Sequence, residues 1–208
     1  MRLRHIKNSE TDIYNSPYVL MNYCSYKGIW NTIFNNDNPI EIEIGTGKGN
    51  FLISKALNNK NINYIGIEKY PSVLLKACTK LDTLNLDNIK LIVLDAFYIN
   101  DVFYKEVDKI YLNFSDPWPK KKHIKRRLTS KDFLIKYDSI FKKKCILEMK
   151  TDNINLFEFS KESFIDYGYS IESISYDEDS IYKTEYEKKF FDKGNKINYI
   201  KVIKEAKE

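Results

Sequence analysis

Apolar residues recur along this chain in two alternating patterns. Short runs that are dense in Ile, Leu, Val and Tyr, such as IEIEI and NYIGIE, are bounded by polar residues, and this pattern predicts strands. Between these runs, apolar residues recur at helical spacing over longer stretches, which predicts helices. The predicted strands span residues 39–44, 63–68, 89–95, 108–114, 145–150, 169–176 and 198–204. The predicted helices span residues 49–59, 71–85, 97–106 and 153–168, with one more that begins near residue 129.

This alternation predicts an α/β fold with a mostly parallel sheet and helices on both faces, since parallel strands need long crossover connections. The last two predicted strands have no clear helix between them, which predicts an antiparallel edge strand. The 208 residues suffice for one α/β domain and are few for two. We therefore expect a single domain over residues 1–208, with a polar N-terminal arm over about residues 1–35.

The composition is that of an ordinary globular domain, with 30% charged and 43% hydrophobic residues. No apolar run is long enough to span a membrane, and the N-terminus lacks the apolar core of a secretory signal. The three cysteines lie far apart without a CxxC pair, which favours a reducing compartment over a disulfide framework. We expect a cytoplasmic protein without a metal site, because only two histidines accompany these cysteines.

The net charge is a modest +5, but the basic residues are concentrated in one place. Six of the eight residues from Lys120 to Arg127 are Lys or Arg, and His123 is a seventh polar member of the run. A basic patch of this density favours a polyanionic partner such as nucleic acid. A solvated surface loop is an equally good interpretation of the charges alone.

Three of the seven glycines, Gly45, Gly47 and Gly49, follow the first predicted strand and open its helix. Glycine at such a turn permits positive φ and lets a ligand approach the backbone closely. The string EIGTGKG departs from the dinucleotide fingerprint GxGxxG, because its third glycine comes one residue early. The clustering favours a ligand-binding turn over a tight turn without a ligand.

Acidic residues accompany this turn at or near the ends of three predicted strands, where ligands bind in open parallel sheets. Glu43 lies within the first strand, Glu68 ends the second, and Asp95 ends the third. Glu68 suits the ribose hydroxyls of an adenosine ligand, and Asp95 suits an adenine amino group. NAD and S-adenosylmethionine (SAM) both satisfy this arrangement. The glycine spacing favours SAM, and so does Glu43, which would repel a pyrophosphate but attract the cationic end of SAM.

The most specific signal follows the fourth predicted strand, where the chain reads NFSDPWPK over residues 113–120. Two prolines within three residues restrict the backbone there. Trp118 between them suits stacking on a base or packing against the domain, and Asp116 beside that flat surface suits a purine substrate. A base pocket joined to a phosphate-binding run would form one coherent site, whereas the alternative is a stiff surface turn.

These motifs together carry a resemblance to a known family. The strings EIGTGKGNF, YIGIEKY, LNFSDPWPKKKHIKRRLT, MKTD and TEYEKKF lie between residues 41 and 190 in that family's order, and DPWPK followed by KHIKRRL is the most specific part. The chain resembles the bacterial tRNA (guanine-N(7)-)-methyltransferases. The resemblance implies a Rossmann-like SAM-dependent methyltransferase fold and methyl transfer from SAM to N7 of a guanosine in the tRNA variable loop. It implies tRNA as the partner, and neither DNA nor a membrane.

The resemblance also implies roles for particular residues. Implied cofactor contacts at Glu43, Glu68, Asp95 and Asp116 join the three glycines of the turn. Implied substrate contacts are Lys120, Asp152, Thr184, Glu185, Tyr186 and Glu187, and implied RNA contacts are Lys122, His123, Ile124, Lys125, Arg126 and Arg127. Lys122 departs from the family, where arginine is expected in many members, and lysine keeps the charge without the bidentate contact. On the residues alone, Thr151–Asp152 is more typical of a helix N-cap, and residues 184–187 of an exposed loop.

The implied reaction needs no general base, which suits a sequence without an obvious catalytic histidine or cysteine. N7 of guanine carries an in-plane lone pair and no proton, so it can attack the methyl carbon directly. We expect Asp116 to be catalytic by stabilising the positive charge that moves onto the purine. Acidic partners for the guanine N1–H and amino group are expected at Asp152 and Glu187, because a cation that read N7 and O6 would block the nucleophile.

Three other functions fit parts of the pattern. A non-catalytic RNA-binding protein of the same fold would bind tRNA without SAM, and the intact glycines and acids disfavour it. A nicotinamide oxidoreductase would bind NAD, and the glycine spacing disfavours it. A methyltransferase of another RNA or of a small molecule would share the fold, and only the loop motif argues against it.

Overall fold

The computed structural model describes residues 9–187 and 196–205, and a seven-stranded sheet lies at its centre. The strands are β1 (Ile40–Ile44), β2 (Asn63–Glu68), β3 (Ile89–Val93), β4 (Lys109–Asn113), β5 (Lys144–Thr151), β6 (Ser170–Ser175) and β7 (Asn198–Glu205). Their order across the sheet is β3-β2-β1-β4-β5-β7-β6. Strands β1 to β5 pair in parallel, and β7 pairs antiparallel with both β5 and β6. The predicted mostly parallel sheet with an antiparallel edge is confirmed.

Helices connect the parallel strands, as the alternating pattern predicts. The α-helices are α1 (Ser9–Asp12), α2 (Asn31–Phe34), α3 (Asn50–Asn58), α4 (Pro71–Leu81), α5 (Ile99–Val102), α6 (Lys131–Asp138) and α7 (Ile154–Asp166). Short 3-10 helices lie at Ile13–Asn15, Tyr23–Tyr26, Ala96–Tyr98 and Lys121–Arg126. Helix α4 begins at Pro71, whose fixed φ and missing N–H suit a first helical turn.

Two local predictions about helices are wrong. The helix predicted over residues 97–106 is a 3-10 turn followed by α5, which ends at Val102 because the next residue, Phe103, is extended and stacks on Trp30. The N-cap interpretation of Thr151–Asp152 also fails. The Asn153 side chain caps α7 by accepting a hydrogen bond of 2.9 Å from the Leu156 N–H.

The strand order reverses between β1 and β4, and this reversal positions the candidate site. Strands β2 and β3 lie on one side of β1, and β4 and β5 lie on its other side. The connections therefore leave in opposite directions, and a crevice opens at the carboxyl ends of the two central strands. Strand β1 is buried along its whole length, which gives this crevice a rigid floor.

The described part of the N-terminal segment, from residue 9 to about residue 35, packs onto the domain. Ile13 and Trp30 are fully buried, and Trp30 Nε1 donates a hydrogen bond of 3.0 Å to the Val102 carbonyl. The Leu91 N–H donates to the Tyr18 carbonyl, so the segment also borders β3. The polar pattern did not predict this packing, because the apolar residues involved are isolated and follow no period.

Candidate functional site

A cleft of about 970 Å³ opens at the carboxyl ends of the parallel strands. Its walls come from the segments that follow β1, β2, β3 and β4, each of which ends at the same edge of the sheet. Of the residues predicted to bind a cofactor, Gly45, Glu68, Asp95 and Asp116 line this cleft. The fold thus brings together side chains that lie far apart in the sequence.

The glycine turn is held against the end of β2 by Glu68. The Gly47 N–H donates a 3.1 Å hydrogen bond to Glu68 Oε2, and the Tyr70 N–H donates a 3.0 Å bond to Oε1. Gly47 has a φ of 58° and Gly49 a φ of 75°, conformations that favour glycine. A Cβ on Gly49 would lie 2.8 Å from the Ala77 Cβ, so this glycine also allows α3 and α4 to pack closely.

Burial raises the pKa of the Glu68 carboxyl, with a small further contribution from the nearby Asp116 charge. The backbone N–H groups that bond to Glu68 oppose this rise, since they stabilise the ionised form. Glu68 therefore lies at the cleft wall as a partly desolvated acceptor. Such a group gains from a ligand that brings hydroxyl donors.

Asp95 follows β3 and caps the 3-10 helix Ala96–Tyr98. Its Oδ1 accepts a 3.0 Å hydrogen bond from the Phe97 N–H, and its Oδ2 lies 2.7 Å from Lys69 Nζ. Burial raises the pKa of Asp95, but the bonds from Lys69 and Phe97 outweigh it, and the net pKa is lowered. Lys69 also lines the cleft and was not predicted from the sequence.

Glu43 lies behind the cleft wall and is 1% exposed. Its Oε2 accepts a 2.7 Å hydrogen bond from Thr46 Oγ1 of the glycine turn, and its Oε1 accepts a 2.8 Å bond from Asn113 Nδ2 at the end of β4. Burial raises the pKa of Glu43 to about 7, although both hydrogen bonds act to lower it. Glu43 thus lies close to the turn, as predicted. It does not line the cleft itself, but Asn113, which is bonded to it, does.

The loop after β4 has a strained backbone on both sides of Asp116. Phe114 has a φ of 51° and Trp118 a φ of 41°, which are unusual values for bulky residues. Asp116 itself is exposed and precedes Pro117, which restricts it to extended conformations. Strain of this kind persists where the surroundings fix the backbone, and it is frequent at functional sites.

Arg127 fixes this loop from beneath. It is 8% exposed, and it donates hydrogen bonds of 2.9 Å to the Pro117 carbonyl and 3.3 Å to the Trp118 carbonyl. Its guanidinium lies 4.3 Å from the centre of the Phe159 ring. In this structure Arg127 supports the loop from inside, unlike the other residues of the basic run.

The rest of the basic run forms the 3-10 helix Lys121–Arg126 beside the cleft. Lys125 and Arg126 are exposed and line the cleft, and the Arg126 guanidinium lies 5.0 Å from the centre of the Trp118 ring. The centre of the His123 ring lies 5.7 Å from the centre of the Trp118 ring, and the two rings are tilted by 40°. Lys120 and Lys122 are also exposed, and Ile124 is half-buried. Trp118 is therefore a wall of the cleft rather than a core residue.

Apart from Lys120, the residues predicted to contact substrate lie after β5 and in residues 184–187. Tyr186 donates a 3.0 Å hydrogen bond to Asp152 Oδ2, and its ring lies 5.0 Å from the Phe114 ring. Burial and the bond to Asp152 raise the pKa of Tyr186 to about 12, so its hydroxyl stays protonated. Asp152, Phe114 and Tyr186 thus form one cluster, and Phe114 belongs to the loop that carries Asp116.

Glu185 and Glu187 tie this region to the rest of the domain through two ion pairs. Glu185 Oε1 lies 2.7 Å from Lys48 Nζ of the glycine turn, with both side chains one-third exposed. Glu187 is fully buried and pairs with Lys150 at 3.2 Å, while its second oxygen accepts a 3.2 Å bond from the Thr184 N–H. Glu187, expected at the guanine edge, thus points into the domain in this structure.

The described residues, 9–187 and 196–205, contain no helix that is long and apolar enough to cross a membrane. The same ranges hold no cluster of three His, Cys, Asp or Glu side chains with the arrangement of a metal site. The cysteines Cys24, Cys78 and Cys145 are all free thiols.

Known proteins match the chain in sequence. A family model described as "Putative methyltransferase" matches residues 37–200. A tRNA (guanine-N(7)-)-methyltransferase from Lachnoclostridium phytofermentans is 46% identical over 213 residues, which cover 99% of both chains. One of the same name from Bacillus subtilis (strain 168) is 46% identical over 205 residues, or 95% of this chain and 96% of that protein.

Solved structures match the fold. The 16S rRNA methyltransferase KamB gives a TM-score of 0.65 at 10% identity, covering 87% of this chain and 94% of its own. An antibiotic-related methyltransferase gives a TM-score of 0.64 at 19% identity, covering 84% and 91%. The predicted Rossmann-like methyltransferase fold is therefore confirmed.

Proposed function

This chain belongs to the tRNA (guanine-N(7)-)-methyltransferase family, and from that premise we propose that it transfers the methyl group of SAM to N7 of a guanosine in the variable loop of tRNA. One observation in the structure supports this chemistry most directly. Glu68, Asp95 and Asp116 converge on a single cleft whose rim is the exposed basic helix Lys121–Arg126. A cofactor site and a phosphate-binding surface are thus adjacent.

The side chains of the cleft fit SAM by their chemistry. Glu68 is an acceptor for ribose hydroxyls, and Asp95 is an acceptor for an adenine amino group, with apolar walls at Val73, Leu94 and Phe97. The glycine turn and the carboxylate of Glu43 behind it suit a cationic amino-acid end. When it is bound, SAM supplies a methyl carbon activated by a positive sulfur.

Asp116 is the catalytic residue of this proposal, and its surroundings support that role. It is exposed at the cleft wall, and its loop is held by Arg127 on one side and by the end of β5 on the other. Guanine N7 has a lone pair and no proton to remove, so the protein needs to align the reactants and stabilise charge. A fixed carboxylate beside the ring stabilises the positive charge that develops on the purine.

Recognition of the base falls to the surface formed by Asp152, Phe114 and Tyr186. Asp152 is only half-buried, so an oxygen of its carboxylate can accept from the N1–H or the amino group of guanine. The rings of Phe114 and Tyr186 offer an apolar face against which a flipped base can pack. None of these three side chains is a cation, so recognition of the base by them would leave N7 unobstructed.

The basic helix Lys121–Arg126 and Lys120 supply the attraction for the tRNA backbone. Their accessible cations stand next to the cleft, so phosphate contacts there would bring a guanosine toward Asp116. We place the reaction in the cytoplasm, because three free cysteines suit a reducing compartment. Neither DNA nor a membrane has a part in this proposal.

The test incubates the full chain with isotopically labelled SAM and an unmodified tRNA transcript. We expect label in 7-methylguanosine after digestion to nucleosides, and its loss when the guanosines of the variable loop are replaced by adenosines. Label in another nucleoside would overturn the assignment to N7, and label that survives the replacements would overturn the assignment to the variable loop.

A further inference from the structure

Lys150 at the carboxyl end of β5 is a buried lysine that no role above requires. It is 5% exposed, and its Nζ donates a 3.2 Å hydrogen bond to Glu187 Oε1 and a 3.1 Å bond to the Tyr182 carbonyl. Both acceptors belong to residues 182–187, which we call the acceptor segment. One ammonium group therefore holds this segment at both of its ends.

The backbone of Lys150 holds the other side of the site. The Phe114 N–H donates a 2.8 Å hydrogen bond to the Lys150 carbonyl, and Phe114 begins the strained loop that carries Asp116. Lys150 also lies opposite Asn113 in the register of β4 and β5. A single residue thus contacts the Asp116 loop through its main chain and the acceptor segment through its side chain.

The acceptor segment is locally ordered around the same ion pair. The Thr184 N–H donates to Glu187 Oε2 at 3.2 Å, and the Glu187 N–H donates to Thr184 Oγ1 at 3.0 Å. This reciprocal pairing closes a tight turn, and Lys150 fixes that turn to the sheet. With the turn fixed in this way, the centre of the Tyr186 ring lies 5.0 Å from the centre of the Phe114 ring.

We propose that Lys150 is a positioning residue that keeps the acceptor segment in register with the Asp116 loop. This inference rests on the proposed function and adds the group that aligns the base-binding surface with the methyl-transfer site. Lys150 lies outside the residues that line the cofactor cleft, and it reaches the cofactor site only through a small effect of its charge on the pKa of Glu43. Its loss should therefore change the use of tRNA far more than the affinity for SAM. The loss of a lysine with a merely structural role would lower the stability of the protein without a selective effect on the use of tRNA.

The test compares K150M with K204M in the full chain. Lys204 is a matched control, because its Nζ lies 2.5 Å from Asp138 in another buried ion pair, with side chains 13% and 11% exposed. That pair lies at the opposite end of β5, since Lys204 is in register with Cys145. Each substitution removes an ammonium group that faces a largely buried carboxylate, so both variants should lose stability.

We expect K150M to lower kcat/KM for tRNA about 100-fold, as small misplacements of reactants do, with a much smaller change in the dissociation constant for SAM. K204M should keep both constants near those of the parent chain, and K150R, which retains the charge, should recover most of the K150M loss. If K150M does not fold, K150Q keeps a donor of similar size and should lose about tenfold.

Equal values of kcat/KM for K150M and K204M would overturn the proposal, and so would a loss of SAM affinity in K150M as large as the loss toward tRNA. The parent chain separates this result from the proposed function. If the parent does not methylate tRNA at N7, the proposed function fails; if it does and K150M is normal, the role of Lys150 fails.

Discussion

In the proposed reaction, Asp116 is the residue that stabilises the developing charge. Its neighbours Phe114 and Trp118 adopt backbone conformations that cost about 1–3 kcal/mol each. The hydrogen bonds from Arg127 to the loop and the bond from Phe114 to β5 hold these conformations. The loop is therefore already rigid when a substrate arrives, and a rigid carboxylate stabilises developing charge without reorganising.

For D116N we expect the single-turnover rate at saturating SAM and tRNA to fall on the order of 100-fold, since one electrostatic contact of this kind contributes about 3 kcal/mol. At saturating concentrations the rate reports the chemical step, because a lower affinity for SAM no longer affects it. Asparagine keeps the size and the hydrogen-bonding oxygen, so the variant isolates the charge. A single-turnover rate close to that of the parent chain would remove the assigned role.

Glu43 should make SAM affinity depend on pH. Burial raises its pKa to about 7, and only the ionised form attracts the cationic cofactor. Affinity should therefore gain from ionisation of Glu43 as the pH rises from about 6 to about 8, by up to about tenfold. Protonation at lower pH removes this gain.

Calorimetric titration of E43Q beside the parent chain checks this dependence. The ammonium of the cofactor titrates at about pH 8 itself, but it does so equally with both proteins. The ratio of the two dissociation constants therefore isolates Glu43. We expect E43Q to be the weaker binder at high pH and the difference to shrink as the pH falls, and a ratio that does not change with pH would refute the account of Glu43.

At the scale of elements, the residues of the basic run fall into an exposed group and a buried arginine. The 3-10 helix Lys121–Arg126 exposes its cations, whereas Arg127, the next residue, is buried under the Asp116 loop. Charge density alone does not distinguish these arginines. Burial does, because a guanidinium that is bonded to two carbonyls has little capacity left for phosphate.

The salt dependence of tRNA binding tests this division. R126A should reduce the slope of log affinity against log salt by about one, because one phosphate contact is lost. R127A should leave that slope unchanged and lower the melting temperature and the turnover, because the loop loses its support. Equal reductions of slope in the two variants would show that both arginines contact the backbone.

At the scale of the whole molecule, the sequence predicts what repeats along the chain and misses what joins distant parts of it. The place of Glu68 and Asp95 at the cleft was predictable because Glu68 ends β2 and Asp95 lies two residues after β3, and parallel strands end at one edge of a sheet. Ion pairs between residues that lie far apart in the sequence are not predictable in this way. Lys150 and Glu187 are 37 residues apart, and no period or motif relates them.

The same limit explains the N-terminal segment and the direction of Glu187. Ile13 and Trp30 are single apolar residues in a polar context, and only the assembled core gives them a place. Glu187 is expected at the guanine edge because a carboxylate can accept from the N1–H and the amino group. In the structure it is buried and forms an ion pair with Lys150 at the end of β5. Chemistry alone predicted the type of residue, and packing decided its orientation.

The most direct test of the central claim uses a tRNA transcript with 7-deazaguanosine at the guanosine that the parent transcript shows to be methylated. This base lacks the N7 lone pair and keeps the other polar edge, so the tRNA should bind with unchanged affinity. We expect no methyl transfer from labelled SAM to that position. Transfer to the 7-deazaguanosine would contradict attack by N7, and with it the account of a cleft that works by alignment and charge.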